Sequence, residues 1–285
     1  MRLSENFTIT ARKTKMAQKA KVMVLRTAGT NCDAETVFAF HDVGADAELV
    51  HVNQLFSGEK KLKNYHILAL PGGFTYGDDI AAGKILANEL RLRLGDELKQ
   101  FIADGKLMIG ICNGFQIMVK AGILPGSLNG IGREGNGFEQ TATLTTNDCG
   151  KFEDRWIHLK PSGRCVWTQE IAGPIYLPVA HGEGKFLPKD DAVLSKLNEG
   201  QRIVFRYCSP SGGKPDYPDN PNGSADDIAG ICDATGHVFG LMPHPERHFL
   251  TTQHPCWTRL KKKSKYGDGA KIFENGVRYA KEKFL

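Results

Sequence analysis

The most constraining feature of this sequence is a cysteine placed in a sharp turn between an apolar segment and a helical one. Residues 106–111 form an apolar run that predicts a buried strand, and residues 113–120 have a helical pattern. Cys112 lies in the turn between them, with glycines two residues before and two residues after it. This pattern is typical of a nucleophile elbow with sulfur in place of oxygen, and a helix N-terminus favours the thiolate. The alternative is a small buried cysteine that does no chemistry.

A second turn supplies a candidate base and a carboxylate. The apolar residues 238–242 predict a strand, and Pro245 favours an extended conformation at His244. In extended chain, residues two apart project to the same side, so His244 and Glu246 can face one site. With Cys112 they complete the combination of nucleophile, base and orienting group. Without Cys112, a histidine beside a proline would more often be structural.

A glycine-rich loop is the third feature. Residues 66–70 predict a strand that runs into Gly72 and Gly73. Glycine N–H groups can approach a developing oxyanion closely, and the N–H of Asn113, just after Cys112, would be the second donor. The alternative is a tight turn that needs glycine only for its backbone conformation. Cys32 also follows a predicted strand, but the adjacent Asp33 disfavours a thiolate there.

The order of strands and helices indicates an α/β protein. Strands are predicted at 21–26, 47–52, 66–70 and 106–111, and helices at 33–43, 80–103, 113–120 and 268–284. This alternation predicts a three-layer sandwich with a mostly parallel central sheet and an active site at the carboxyl ends of its strands. Shorter β-like runs between 139 and 206 (141–145, 155–159 and 203–207) predict an antiparallel excursion packed on that sheet. Residues 1–20 are predicted to be a disordered basic leader, which leaves a single domain at 21–285.

Charge and composition argue against several classes of function. The net charge is +5, but residues 1–20 hold five Lys or Arg and one Glu, so the remainder is nearly neutral and is not predicted to bind nucleic acid. No apolar run of about 18 residues predicts a membrane span. Seven cysteines without zinc-like spacing predict a reduced, cytoplasmic chain with no metal site. Residues 130–135 match GxGxxG but open no predicted helix, and residues 77–84 are one residue too long for a P-loop, so neither segment is predicted to bind a nucleotide. The basic run 261–265 predicts a solvated loop, with docking to a partner as the alternative.

Three segments carry a family resemblance: residues 71–79 (PGGFTYGDD), 110–116 (GICNGFQ) and 242–247 (MPHPER). They resemble the class I, or triad, glutamine amidotransferases, whose sandwich is flavodoxin-like. More narrowly, the sequence is similar to the glutaminase subunits or domains of phosphoribosylformylglycinamidine synthase, in purine biosynthesis. Further matches at 30–36, 180–186 and 220–224 extend the resemblance over roughly residues 21–248.

The resemblance implies a role for each motif. The triad would be nucleophile, general base and orienting carboxylate, in the order Cys112, His244 and Glu246. The oxyanion hole would be formed by Gly73 and Asn113. The glutamine-binding residues would be Gln116, Gly72, His181 and Gly182. The alternative for Gln116 is an ordinary helix-surface residue, and His181 has no partner that the sequence identifies.

The resemblance also implies the reaction and the partners. Glutamine would be hydrolysed to glutamate, and the ammonia would pass to a separate ATP-dependent synthetase subunit that converts formylglycinamide ribonucleotide to the amidine. No cofactor is expected on this chain; ATP and Mg²⁺ are expected on the synthetase, and a small accessory subunit is a further candidate partner. Three alternatives stay open: another class I amidotransferase subunit, a stand-alone hydrolase of γ-glutamyl compounds, and a catalytically silent interaction module.

Overall fold

The computed structural model describes residues 18–128, 138–260 and 264–285. These residues contain eleven strands and six α-helices. The strands are β1 Lys21–Arg26, β2 Asp46–His51, β3 Ile67–Leu70, β4 Leu107–Ile111, β5 Ala142–Thr145, β6 Glu153–Pro161, β7 Ile175–His181, β8 Lys185–Pro188, β9 Ile203–Cys208, β10 Ile228–Cys232 and β11 Val238–Leu241. The helices are α1 Asp33–Asp42, α2 Val52–Phe56, α3 Lys84–Ala103, α4 Asn113–Lys120, α5 Asp191–Glu199 and α6 Ala270–Phe284.

Nine of the strands form one sheet in the order β2-β1-β3-β4-β11-β10-β9-β6-β7. The five from β2 to β11 are mutually parallel, whereas each strand beyond β11 is antiparallel to its neighbour. The carboxyl ends of β1, β3, β4 and β11 therefore meet at one edge of the sheet. All the loops predicted to carry chemistry leave the sheet at that edge.

Helices cover both faces of the parallel strands. The chain moves in one direction along the sheet from β1 to β2 and in the opposite direction from β3 to β4, so right-handed crossovers place α1 and α3 on opposite faces. α6 packs beside α1, and α4 packs beside α3. β3 and β4 are buried at every position, as expected for strands covered on both sides. The predicted three-layer α/β sandwich is confirmed.

The antiparallel part differs from its prediction in one respect. Rather than packing on the sheet, strands β10, β9, β6 and β7 extend it edge to edge, and only β5 and β8 form a separate two-stranded ladder. The sequence reading missed β7, β8, β10 and α5. Pro178 within β7 weakened its strand pattern, and the structure tolerates that proline because β7 is an edge strand.

Some predicted boundaries also shift. α3 begins at Lys84 and not at residue 80, because Gly83 has φ +72°, which a right-handed helix cannot include. The ordered chain begins before residue 21: Ala20 is buried, and its carbonyl oxygen accepts a hydrogen bond from the Asp46 N–H at 2.8 Å. The rest of the predicted leader, residues 1–17, lies outside the described residues, as do the segment 129–137 and the basic residues 261–263. None of the described helices is long and apolar enough to cross a membrane.

Candidate active site

Cys112 occupies a strained turn between β4 and α4. Its backbone has φ 50° and ψ −107°, a combination that residues other than glycine rarely adopt. Its N–H donates to the carbonyl oxygen of Leu241 at 2.8 Å, which ties the turn to β11. A Cβ at Gly114 would overlap the carbonyl oxygen of Leu70, so glycine lets α4 approach β3 this closely. The elbow predicted from the sequence is therefore present and is held by the strands on both sides.

His244 and Glu246 follow β11, the strand next to the elbow strand. His244 Nδ1–H donates to Glu246 Oε1 at 2.6 Å, and both side chains are buried. The other ring nitrogen, Nε2, has no hydrogen-bond partner among the described residues and is available to exchange a proton with Cys112. Burial alone lowers the pKa of His244, but the Glu246 carboxylate and the Cys112 sulfur outweigh it and hold that pKa well above its ordinary value. The Glu246 carboxylate thus stabilises the protonated imidazole that forms when a general base takes up a proton.

Gly72 and Gly73 line the same edge between β3 and the elbow. A Cβ at Gly72 would lie 2.8 Å from His244 Cε1 and 3.5 Å from Cys112 Cβ, so the glycine backbone fits between the two catalytic candidates. Gly73 has φ +149°. Within the described part of the chain, no hydrogen bond takes up the N–H groups of Gly73 and Asn113. Two free backbone donors beside a nucleophile can bind an oxyanion.

Asn113 also links the elbow to the glycine-rich loop through its side chain. Its Nδ2 donates to Asp78 Oδ1 at 3.1 Å and to Gln116 Oε1 at 2.9 Å, while its Oδ1 accepts from the Thr75 N–H at 3.2 Å. Burial raises the pKa of Asp78, whose Oδ1 also accepts from the Gly83 N–H at 3.0 Å. The loop that contains Gly73 is thus linked by hydrogen bonds to the first residue of α4.

Gln116 and Lys120 continue this link along α4 to the loop after β7. Gln116 Nε2 donates to the carbonyl oxygen of Glu183 at 2.7 Å. Lys120 Nζ lies 3.0 Å from Glu183 Oε2 and donates to the carbonyl oxygen of Ala82 at 2.7 Å. Asn113, Gln116 and Lys120 are buried at positions i, i+3 and i+7 of the helix, and we call this set the polar stripe of α4. The spacing was visible in the sequence, but the partners of Lys120 were not.

His181 ends β7 and is buried beneath the loop at 182–184. Its Nδ1 lies 3.2 Å from Asn147 Oδ1, and its Nε2 lies 3.5 Å from Asn222 Nδ2. Burial and the positive charge of His244 lower its pKa to about 4, so the ring is neutral at pH 7. Both nitrogens are engaged within the protein, as is the side chain of Gln116. Direct contact of these two residues with glutamine stays a prediction. Gly182 is more open: among the described residues, only Phe152 Cδ2 lies near its Cβ position, at 3.9 Å.

Sequence reasoning missed the place of Cys32 beside the site. Its sulfur lies 3.9 Å from His244 Nδ1 and accepts a hydrogen bond from Arg247 Nη2 at 3.1 Å. Burial raises the pKa of the Cys32 thiol, and His244 and Arg247 only partly oppose this effect. The one signal in the sequence was that Cys32 follows β1, whose carboxyl end shares an edge with β3 and β4.

An elbow cysteine, a His-Glu pair on the adjacent strand and a three-layer sandwich together define a glutamine amidotransferase. A family model described as the CobB/CobQ-like glutamine amidotransferase domain matches residues 19–280, and the chain belongs to this family. The class inferred from the sequence motifs is therefore confirmed.

The relatives narrow the class to one branch. The chain is 48% identical over 267 residues to the phosphoribosylformylglycinamidine synthase subunit PurQ of Dehalococcoides mccartyi, covering 93% of this chain and 99% of the relative. It is 42% identical over 274 residues to the subunit of the same name from Methanococcus maripaludis, covering 91% and 97%. Among solved structures, a chain of PurLQS from Thermotoga maritima matches with a TM-score of 0.69 and 30% identity, covering 92% of this chain and 99% of that one.

Proposed function

We propose that this chain is the glutaminase subunit of a phosphoribosylformylglycinamidine synthase. It hydrolyses glutamine to glutamate and supplies the ammonia to an ATP-dependent synthetase subunit, which converts formylglycinamide ribonucleotide to formylglycinamidine ribonucleotide in purine biosynthesis. The observation that carries the proposal is the placement of Cys112 and His244 after adjacent parallel strands, with Glu246 on His244 Nδ1 at 2.6 Å. The PurQ relatives supply the pathway.

The first half-reaction forms a thioester. His244 Nε2 takes the thiol proton, and the Cys112 sulfur attacks the side-chain amide carbon of glutamine. The negative charge that develops on the amide oxygen is met by the N–H groups of Gly73 and Asn113. Glu246 keeps the proton of His244 on Nδ1 and stabilises the imidazolium. As the tetrahedral intermediate collapses, His244 protonates the leaving nitrogen, and ammonia departs.

The second half-reaction releases glutamate. His244 deprotonates a water, which attacks the thioester carbon at the same oxyanion hole, and the Cys112 sulfur leaves as the thiolate that His244 reprotonates. The sum of both halves is glutamine plus water giving glutamate plus ammonia. No step needs a cofactor or metal from this chain. ATP and Mg²⁺ belong to the synthetase, where the acceptor is activated.

The remaining roles follow from position. We assign the walls of the glutamine pocket to Gly72 and Gly182, with Gln116 and His181 as further candidates. We treat residues 21–285 as one glutaminase domain, supported by a family match that runs from 19 to 280. A cytoplasmic location is supported by seven cysteines that all lack a disulfide partner.

The test is a nucleophile substitution in the assembled synthase. Cys112→Ala should abolish glutamine-dependent amidine formation, by a factor on the order of a million for loss of a triad nucleophile. Activity with free ammonia should stay intact, because the synthetase site lies on another subunit. Cys149→Ser, at an exposed cysteine, is the matched control and should leave both rates unchanged. Retained glutamine hydrolysis by Cys112→Ala would overturn the assignment.

A further inference from the structure

The side chains of Cys32, His244 and Glu246 are buried and come from two turns. Their donor atoms meet at His244 Nδ1, the ring nitrogen opposite the free Nε2. Cys32 precedes α1, and His244 and Glu246 follow β11. One donor atom from each, a sulfur, a nitrogen and an oxygen, lies within 4.8 Å of the other two. The Cys32 sulfur is 3.9 Å from His244 Nδ1, and that nitrogen is 2.6 Å from Glu246 Oε1. Cys32 and His244 are 212 residues apart in the chain, so the cluster cannot be recognised from sequence spacing.

The donors and their spacing suit a thiophilic divalent cation. Zn²⁺ binds thiolate sulfur, imidazole nitrogen and carboxylate oxygen at about 2.0–2.3 Å, which places neighbouring tetrahedral ligands about 3.5 Å apart. The observed separations lie on either side of that value, so shifts of about 1 Å would bring the three atoms to bonding distance. Glu246 Oε2 is buried and has no hydrogen-bond partner among the described residues, so the carboxylate can bind the cation through either oxygen.

The local charges also balance. A thiolate on Cys32 and the Glu246 carboxylate match the two charges of the cation. Arg247, whose Nη2 lies 3.1 Å from the Cys32 sulfur, has its own partner, because its Nε is 3.1 Å from Glu35 Oε2. The guanidinium can therefore remain as a donor to the metal-bound sulfur without adding an unmatched charge.

We propose that Cys32, His244 and Glu246 form an inhibitory site for a thiophilic divalent cation of the Zn²⁺ type. A metal on Nδ1 displaces the proton that His244 donates to Glu246, and the Cys32 thiol releases its proton to solvent as its sulfur binds the cation. The neutral ring then carries its proton on Nε2, where it cannot accept one from Cys112. The nucleophile itself is not a ligand, so bound metal removes the base and leaves Cys112 in place. The metal site does not depend on the proposed function, whereas inhibition of glutamine hydrolysis by the bound metal rests on that function.

Cobalt binding tests the site without any activity measurement. The full-length chain with Cys112→Ala, Cys149→Ser and Cys256→Ser lacks the nucleophile and both exposed thiols. Titration with Co²⁺ should produce a saturable thiolate-to-metal charge-transfer band at one equivalent. Adding Cys32→Ser should remove the band and weaken binding at least about 100-fold, since loss of outer-shell partners alone costs 10–100-fold. Cys232→Ser, at a buried cysteine with a different partner, is the matched control and should keep the band.

Three results would overturn the proposed site: no charge-transfer band, a band that survives Cys32→Ser, or a band that Cys232→Ser abolishes. Circular dichroism checks the fold of every variant. If Cys32→Ser does not fold, Glu246→Gln in the same background tests the site from its opposite ligand and should weaken binding comparably.

The inhibitory consequence is measured in the assembled synthase with the wild-type chain. Zn²⁺ should suppress glutamine-dependent but not ammonia-dependent amidine formation, and a chelator should restore the rate. Relative to its own metal-free rate, Cys32→Ser should need about 100-fold more Zn²⁺ for half-inhibition. Equal sensitivity of the two proteins would place the inhibiting metal elsewhere. A chain that binds Co²⁺ as described but hydrolyses no glutamine would refute the proposed function and keep the metal site.

Discussion

Individual residues of the triad should differ in how much their loss costs. His244→Ala should reduce glutamine-dependent turnover nearly as much as loss of Cys112, on the order of a million-fold, because the base acts in both half-reactions. Glu246→Gln should cost less, on the order of ten-thousand-fold, because it removes only orientation and charge compensation at Nδ1. Steady-state rates in the assembled synthase give the comparison, with the exposed His41→Ala as control. Wild-type turnover by Glu246→Ala would show that another group orients His244.

His181 makes the stability of the fold depend on pH. Its pKa is about 4 in the folded protein and about 6.5 when unfolded, so the unfolded chain binds more protons between these values. The stabilisation from the neutral ring is complete above about pH 6.5 and is lost as the pH falls towards 4. At pH 5 the loss amounts to about 2 kcal/mol of the free energy of unfolding.

Urea unfolding at pH 7 and pH 5 measures this contribution. His181→Gln should be less stable than the native chain at pH 7. Between pH 7 and pH 5, however, its free energy of unfolding should fall by about 2 kcal/mol less than that of the native chain. The exposed His41→Gln should lose as much as the native chain. Identical pH dependence of His181→Gln and the native chain would show that His181 does not titrate as described.

At the scale of single residues, sequence reasoning succeeded where the local pattern carries the chemistry. The glycines around Cys112 and the Pro245 that extends His244 are consequences of turn geometry, and turn geometry is local. Cys32 and Lys120 could not be placed in this way. Their partners are 212 and 63 residues away, and only the folded sheet brings them together.

Within the element α4, the polar stripe should couple stability to catalysis. Lys120→Met leaves the Glu183 carboxylate without its buried partner. Because the Glu183 side chain is 30% exposed, the cost should be about 2 kcal/mol, below the 3–5 kcal/mol of a fully buried pair. Loosening of the loops at 75–83 and 182–184 should also lower glutamine-dependent turnover on the order of 10- to 100-fold, with ammonia-dependent turnover unchanged.

Chemical denaturation and paired rate measurements separate these two effects. Lys120→Met with Glu183→Gln should recover most of the lost stability, because no buried charge is left unpaired. Lys99→Met, on the exposed i,i+3 pair with Asp96, is the matched control and should change stability by less than about 0.5 kcal/mol. A Lys120→Met chain as stable and as active as the native one would show that the stripe is not a support of the site.

Elements were predictable in proportion to the strength of their periodicity. β1 and α4 were predicted to the residue, and the long α3 was wrong only at its start, where Gly83 reverses the backbone. Four elements between 175 and 232 (β7, β8, α5 and β10) were missed because their apolar runs are short or contain proline, whereas β9 was predicted. The sequence also could not predict that the antiparallel strands extend the parallel sheet edge to edge. Which strands pair depends on which strand edges remain unpaired in the folded sheet.

For the whole molecule, we expect the isolated chain to be a poor glutaminase. A free glutaminase would release ammonia to solvent, so docking of the synthetase should complete the oxyanion loop or the glutamine pocket. The segment at 72–77 is the part expected to move, because Gly73 and Gly77 permit backbone rearrangement. Glutamine hydrolysis should be measured for the chain alone and then with synthetase, ATP and ribonucleotide. A full rate from the chain alone would contradict gating and favour a stand-alone hydrolase.

The sheet order also has a consequence for biosynthesis. β4 and β11 are adjacent in space, yet Cys112 and His244 are separated in the chain by the strands that extend the sheet beyond β11. On the ribosome, the cysteine emerges long before the histidine that activates it. A nascent or truncated chain that stops before β11 therefore has a nucleophile with no base, and it cannot consume the cell's glutamine. Competence for hydrolysis requires β11, the last strand of the sheet to be synthesised, to take its place between β4 and β10.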